Sequence, residues 1–244
     1  GPAMAVSGQK VSALDEALAR QKAGDVAGAE AGFRAVLEGD PDHPNALLLL
    51  GTLLHKTGRA DEAVGLIGRA LDAAPRRGRA PPPAWRVALA HAKRDAGDGD
   101  GALAIVDALV AEAPGALEPL MLRADLLQRL ERHEEAVRDY RRLLDKAPGY
   151  SPALNNMGVS LKALGSLKEA YESFARAAEE DPKNTQAIMN VGMLMLDMGD
   201  AQAAVGHLRR AHALDRDDRK IEDALIDALQ VAEQVGEAER LAEA

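Results

Sequence analysis

A few short stretches of this chain carry residue types that could do chemistry. Residues 97–101 read Gly-Asp-Gly-Asp-Gly, the kind of alternation found in loops that cradle phosphate or ligate calcium. A phosphate loop needs a preceding strand and a calcium loop needs a liganding glutamate at its end. Neither is present, so the stretch reads as a turn between two helices. His207 and His212 stand five apart, a spacing that does not bring two imidazoles to one helical face; they read as solvated histidines rather than a metal pair. Arg76, Arg77 and Arg79 lie beside the prolines at 81–83. Three guanidinium groups there could hold an acidic or phosphorylated segment, but a proline run is also a stiff spacer, and the spacer reading is preferred. The chain has no cysteine, which removes disulfides, thiolate ligands and cysteine nucleophiles together. No nucleophile elbow, paired acidic motif or zinc-protease motif occurs. The expectation is a protein without catalytic residues, metal or cofactor.

Charge and composition narrow the classes further. A net charge of −9 and a pI near 5.2 oppose nucleic-acid binding, which needs a basic face. Aromatic residues make up 2% of the chain, too few for base-stacking platforms or an aromatic ligand cage. Residues 1–4 read as a tag-cleavage scar and residues 1–9 as a lead-in. No apolar stretch of about 20 residues follows, so no membrane span is expected and cytoplasmic is the default reading.

Any site must be positioned by a repeated helical unit. In residues 151–184, Leu154, Met157, Gly158, Leu161 and Leu164 share one face of a first helix. Gly165 ends that helix. Ser166 and Glu169 are spaced as a capping box and open a second helix that buries Ala170, Phe174, Ala177 and Ala178, and Pro182 stops it. The pattern recurs in steps of about 34 residues. It gives units at 10–43, 44–77, 83–116, 117–150, 151–184 and 185–218, a partial hairpin at 219–244, and an insertion at 78–82. One column of the second helix reads Ala29, Ala63, Ala102, Ala136, Ala170, Ala204 and Ala238. Facing it are the small residues Ala17, Gly51, Ala90, Ala124, Gly158 and Gly192, as close helix crossing demands. The turn column holds Gly24, Gly58, Gly97, Gly165 and Gly199. A ring or branched column holds Phe33, Ile67, Val106, Tyr140, Phe174 and Leu208, and Pro41, Pro75, Pro114, Pro148 and Pro182 close the units. A hairpin of this size cannot bury both faces alone, so the fold class expected is all-α, an α-solenoid of stacked hairpins. Arg123 takes a place where leucine is expected and reads as a snorkelling side chain. The insertion is expected to be a local irregularity with Trp85 shielded beside it.

These columns resemble those of the tetratricopeptide repeat family, over nearly the whole chain. The resemblance implies a right-handed superhelix whose first helices line a concave groove that binds peptides or partner helices. The groove positions that it implies are, in the N-terminal half, Leu14, Leu18, Leu48, Leu49, His55, Val87 and His91, a mostly apolar secondary floor. In the C-terminal half they are Met121, Leu122, Asp125, Asn155, Asn156, Val159, Lys162, Met189, Asn190 and Met193, the expected peptide site. The carboxylate clamp of chaperone-binding members is not expected, since Leu14, Ala84, Met121 and Gln186 occupy the matching places. Asn156 and Asn190 share one groove column. They are similar to the asparagine ladder in the repeats of O-linked N-acetylglucosamine transferase, where an amide can meet both sides of a backbone peptide unit.

The function expected is that of a bacterial-type, non-catalytic scaffold that holds an extended or helical segment of a partner protein in its groove. Two other readings stand beside it. One is a substrate-recruiting module of a larger enzyme, such as a protein glycosyltransferase. The other is self-association through the unfinished C-terminal hairpin, whose Leu225, Leu229 and Leu241 would lack a neighbour.

Overall fold

The computed structural model describes residues 11–243, so the expected scar, the lead-in and Lys10 lie outside the described residues. Among the described residues the chain is helices and turns throughout, divided into a first compact unit ending at Glu112 and a second beginning at Ala113.

The first unit holds α1 (Ala13–Lys22), α2 (Val26–Gly39), α3 (Pro44–Lys56), α4 (Ala60–Arg76), α5 (Pro83–Asp95) and α6 (Gly99–Glu112). Each odd helix packs antiparallel on the even helix after it, and α2 packs on α3 and α4 on α5. Short polar side chains start the helices by accepting otherwise unpaired amides: Ser12 from Asp15, Asp25 from Gly28, and Asp98 from Gly101 at 2.8 Å. The Asp98 cap and the positive φ of 90° at Gly97 account for the Gly-Asp-Gly-Asp-Gly stretch as an inter-helix turn. Pro75 does not close its unit as expected. It lies inside α4, and the chain leaves that helix only at Arg77 and Gly78, where φ is 72°. Helical packing crosses the insertion, because Trp85 of α5 is buried against Leu47, Ala70, Ala73 and Ala74. At the insertion Arg77 grips Asp40 through two bonds of 2.8 and 2.6 Å, and Arg79 reaches Asn45.

The second unit holds α7 (Leu117–Arg129), α8 (His133–Lys146), α9 (Ser151–Ala163), α10 (Leu167–Glu180), α11 (Thr185–Asp197), α12 (Ala201–Leu214) and α13 (Arg219–Glu243). Ala136, Ala170 and Ala204 are fully buried here, as are Ala29, Ala63 and Ala102 in the first unit. The small residues of the odd helices have a nearer neighbour than the alanine column, although a Cβ on Gly192 would also lie 3.3 Å from the Ala204 carbonyl. They meet the ring or branched column: a Cβ built on Gly158 would lie 2.6 Å from the Phe174 ring, and one on Gly192 would lie 2.8 Å from Leu208 Cγ. The capping box at Ser166 does not form, because Glu169 reaches across to Arg141 of α8 at 2.9 Å. The turn before α8 places Glu131 at φ 60°, where the other hairpins use glycine.

The C-terminal hairpin expected at 219–244 is not formed. Residues 219–243 make one continuous helix, rich in the helix-favouring Ala, Leu, Glu and Gln. Ala238 consequently lies exposed on α13 instead of in a hairpin crossing.

Candidate functional site

Three first helices of the second unit, α7, α9 and α11, carry a connected line of polar side chains. Asn190 Nδ2 on α11 donates to Asn155 Oδ1 on α9 at 2.9 Å. Asn155 Nδ2 reaches Asn156 Oδ1 at 3.4 Å, and Asn156 Nδ2 donates to Asp125 Oδ1 on α7 at 3.1 Å. The same Asp125 oxygen accepts the Tyr140 hydroxyl of α8 at 2.6 Å. Burial first, and then the bond to Asp125 and its charge, push the Tyr140 hydroxyl far above its ordinary range, so it stays protonated and donating. Asn155, Asn156 and Asn190 each spend one amide N–H on this line. Asp125 Oδ2 and Asn190 Oδ1 have no hydrogen-bond partner among the described residues, and both side chains are half-buried.

The apolar members of the predicted site divide into two groups. Val159 and Met193 are exposed, at 37% each, whereas Met189 is buried at 7% and belongs to the core around Ile188 and Leu208. Asn155 is likewise buried, at 8%, and acts as a link of the line. Met121 and Leu122 are half-buried on α7. Lys162 pairs with Asp197 at 3.2 Å, which balances its charge within the site.

Sequence reasoning missed Gln128, whose Nε2 donates to the Asn156 carbonyl at 2.6 Å and to Ser160 Oγ at 2.8 Å. It also missed His133, which meets the same Ser160 hydroxyl at 3.1 Å. Gln128 occupies the same repeat position as Lys162, and that was the available signal. Arg123 does not snorkel. It clasps Asp139, which is 4% exposed, through bonds of 2.7 and 2.9 Å, because a carboxylate buried there needs a fixed cation.

In the first unit the secondary floor is less bare than expected. Leu14, Leu18, Leu48 and Leu49 are half-buried and pack on the core around Leu50 and Ile67. Val87 is half-buried on α5. His55 meets Asp95 at 2.6 Å, and Arg94 joins Asp95 to His91. The Arg94 guanidinium, aided by His55, holds the Asp95 carboxyl well below the usual carboxylate range. The two expected floor histidines are therefore members of an ionic cluster.

The histidines of α12 are not the solvated pair expected, because the helix packs between α11 and α13. His212 Nδ1 is buried without a hydrogen-bond partner, and burial, with Arg210 nearby, lowers the pKa of His207. A cavity of about 550 Å³ lies beside His207, with Tyr171, Val191, Arg210 and Leu214 among its lining residues.

Paired helices repeated in this way define an all-α helical repeat solenoid of the protein-binding class. Profiles of the tetratricopeptide repeat match residues 21–80, 87–152 and 151–184. The chain belongs to the tetratricopeptide repeat family. Among solved structures it is similar to TTC0263, a thermophilic TPR protein of Thermus thermophilus, at 24% identity and a TM-score of 0.60, covering 77% of this chain and 99% of that one. MamA of Desulfovibrio magneticus RS-1 is similar at 16% identity and a TM-score of 0.59, covering 72% and 96%. YrrB, described as a TPR protein with an unusual peptide-binding site, is similar at 17% identity and a TM-score of 0.53, covering 79% and 96%. No curated protein matches the chain in sequence. No helix among the described residues is long and apolar enough to cross a membrane.

Proposed function

We propose that this chain is a non-catalytic scaffold that holds an extended or helical segment of a partner protein on the α7, α9 and α11 side chains of its second unit. The observation that carries this reading is the polar line from Asp125 to Asn190, with the exposed Val159 and Met193 each one helical turn after Asn156 and Asn190. Apolar surface supplies affinity, and fixed acceptors orient a main chain that would otherwise slide. YrrB's peptide-binding site supports a peptide role for this chain as well. In this reading the repeats keep the registers 10–43 through 185–218, α13 packs on α12, and the amides are partly committed to one another, each with one N–H left to offer a partner's main chain.

The test is selection of peptide ligands from a random display library on the wild-type chain, followed by binding to Val159→Glu with Met193→Glu. Both side chains are exposed, so the fold should be retained, as circular dichroism would verify. Binding of the selected peptides should fall by about tenfold or more, since each lost apolar contact is replaced by a charge. Undiminished binding would place the site elsewhere.

Self-association is the second reading, favoured by Ile226, Leu229, Val231, Val235 and Leu241, all exposed on α13. A mass that rises with concentration in light scattering would support it, and a constant monomer mass would remove it.

A further inference from the structure

Of the acceptors left on the polar line, Asp125 is the charged one. Tyr140 and Asn156 both donate to its Oδ1, at 2.6 and 3.1 Å, and so fix the plane of the carboxylate. Both donors are neutral. Oδ2 is left without a partner among the described residues, and the side chain is only half-buried, so a ligand can reach it. Lys162 of α9 pairs with Asp197 at 3.2 Å, and Arg123 is held by Asp139. The carboxylate is thus pre-oriented by groups that leave its charge in place, within a chain of net charge −9. A rigid anion needs less ordering on binding than a free side chain does. Asn190 Oδ1 adds a second acceptor two hairpins along, and Val159 and Met193 supply apolar surface beside the line.

We infer that the partner segment carries a cationic side chain, arginine or lysine, that donates to Asp125 Oδ2, with aliphatic residues flanking it against Val159 and Met193. The inference rests on the peptide-binding reading of this site and names the partner's chemistry. An acidic or phosphorylated segment is disfavoured by the same geometry, because it would bring like charge against Asp125 while Lys162 and Arg123 are already paired with carboxylates. Guanidinium is the better fit of the two cations, since its planar fork can meet Oδ2 and still donate to a neighbouring acceptor.

The test uses synthetic peptides of about twelve residues, long enough when extended to pass all three helices. Each has a central residue of arginine, lysine, citrulline or glutamate, flanked by mixed leucine, valine, methionine, alanine and serine. Citrulline keeps the shape of arginine and removes its charge, so the comparison can be made on the wild-type chain with no question of folding. Arginine-centred peptides should bind about tenfold to a hundredfold more tightly than their citrulline forms, as one charged hydrogen bond implies. The Asp125→Asn chain, which keeps the acceptor for Tyr140 and Asn156, should lose that preference while still binding the aliphatic flanks. Equal binding of arginine, citrulline and glutamate forms would overturn the inference and leave the peptide-binding reading standing. A preference for arginine that survives Asp125→Asn would also overturn it. Failure of every peptide to bind would overturn both.

Discussion

Asn190 donates to Asn155 across 2.9 Å, so the two amides join α11 to α9 rather than standing apart as rungs for a ligand. Because Asn155 is buried and also reaches Asn156, it is the joint of the line. Asn155→Ala leaves the Asn190 amide without its acceptor. It should destabilise the chain by about 1–3 kcal/mol, against about 0.5–1.5 kcal/mol for Asn190→Ala. Urea denaturation of the two variants checks this. Equal, negligible losses would mean that the line carries no structural load.

Gly158 and Phe174 form the closest small-to-large packing of the second unit, with 2.6 Å between a built Cβ and the ring. Gly158→Ala should therefore cost about 1–3 kcal/mol by overpacking, although alanine is the better helix former. A gain in thermal midpoint would show that the helices can separate freely at this crossing.

Arg123 and Asp139 pose a different question, since a buried ion pair resists the loss of one partner more than the loss of both. Arg123→Ala should cost about 3 kcal/mol by leaving Asp139 buried without this cation, whereas Arg123→Met with Asp139→Leu should recover most of that loss. The comparison is made by chemical denaturation. A double variant no more stable than Arg123→Ala would contradict it.

Several carboxylates are held below their ordinary values by arginine partners: Asp95 by Arg94 and then His55, Asp40 by Arg77, Glu62 by Arg59, Glu112 by Arg86 and Glu135 by Arg132. A depressed folded pKa gives stability that is present above the unfolded value and lost as pH falls through the folded one. The ordinary values are 3.8 for aspartate and 4.5 for glutamate. The denaturation midpoint should thus change little between about pH 7 and pH 5 and fall below about pH 4. These pairs are largely exposed, so the fall is shallow and is reduced further by salt. A midpoint that rises on acidification through this range would reverse the sign and refute the assignment.

The helical repeat was legible because its marks are local. Turn glycines with positive φ, buried alanines and prolines after second helices all act within a few residues of themselves. The candidate line was legible only in part. Asn156 and Asn190 stood out by column, but Tyr140 read as a core ring, and nothing in spacing shows that its hydroxyl would meet Asp125 on the neighbouring helix. Asp139 and Arg123 lie sixteen positions apart, a pairing set by how two helices cross. Glu169 illustrates the same point in reverse: a local capping pattern lost to Arg141 on another helix. The missing hairpin at 219–244 was misread because Ala238 kept the column pattern although residues 219–243 run on as one helix.

The most direct test of the proposed binding face is site-specific photocrosslinking. A benzophenone side chain is placed at Val159, at Met193, or at Leu214 beside the cavity near His207, all of them exposed. The probe is the arginine-centred peptide that binds most tightly among those described above. Crosslinks from Val159 and Met193, competed away by unlabelled peptide and absent from Leu214, are the predicted result. Crosslinks from Leu214 alone would contradict the account and move the binding site to the cavity side of α12.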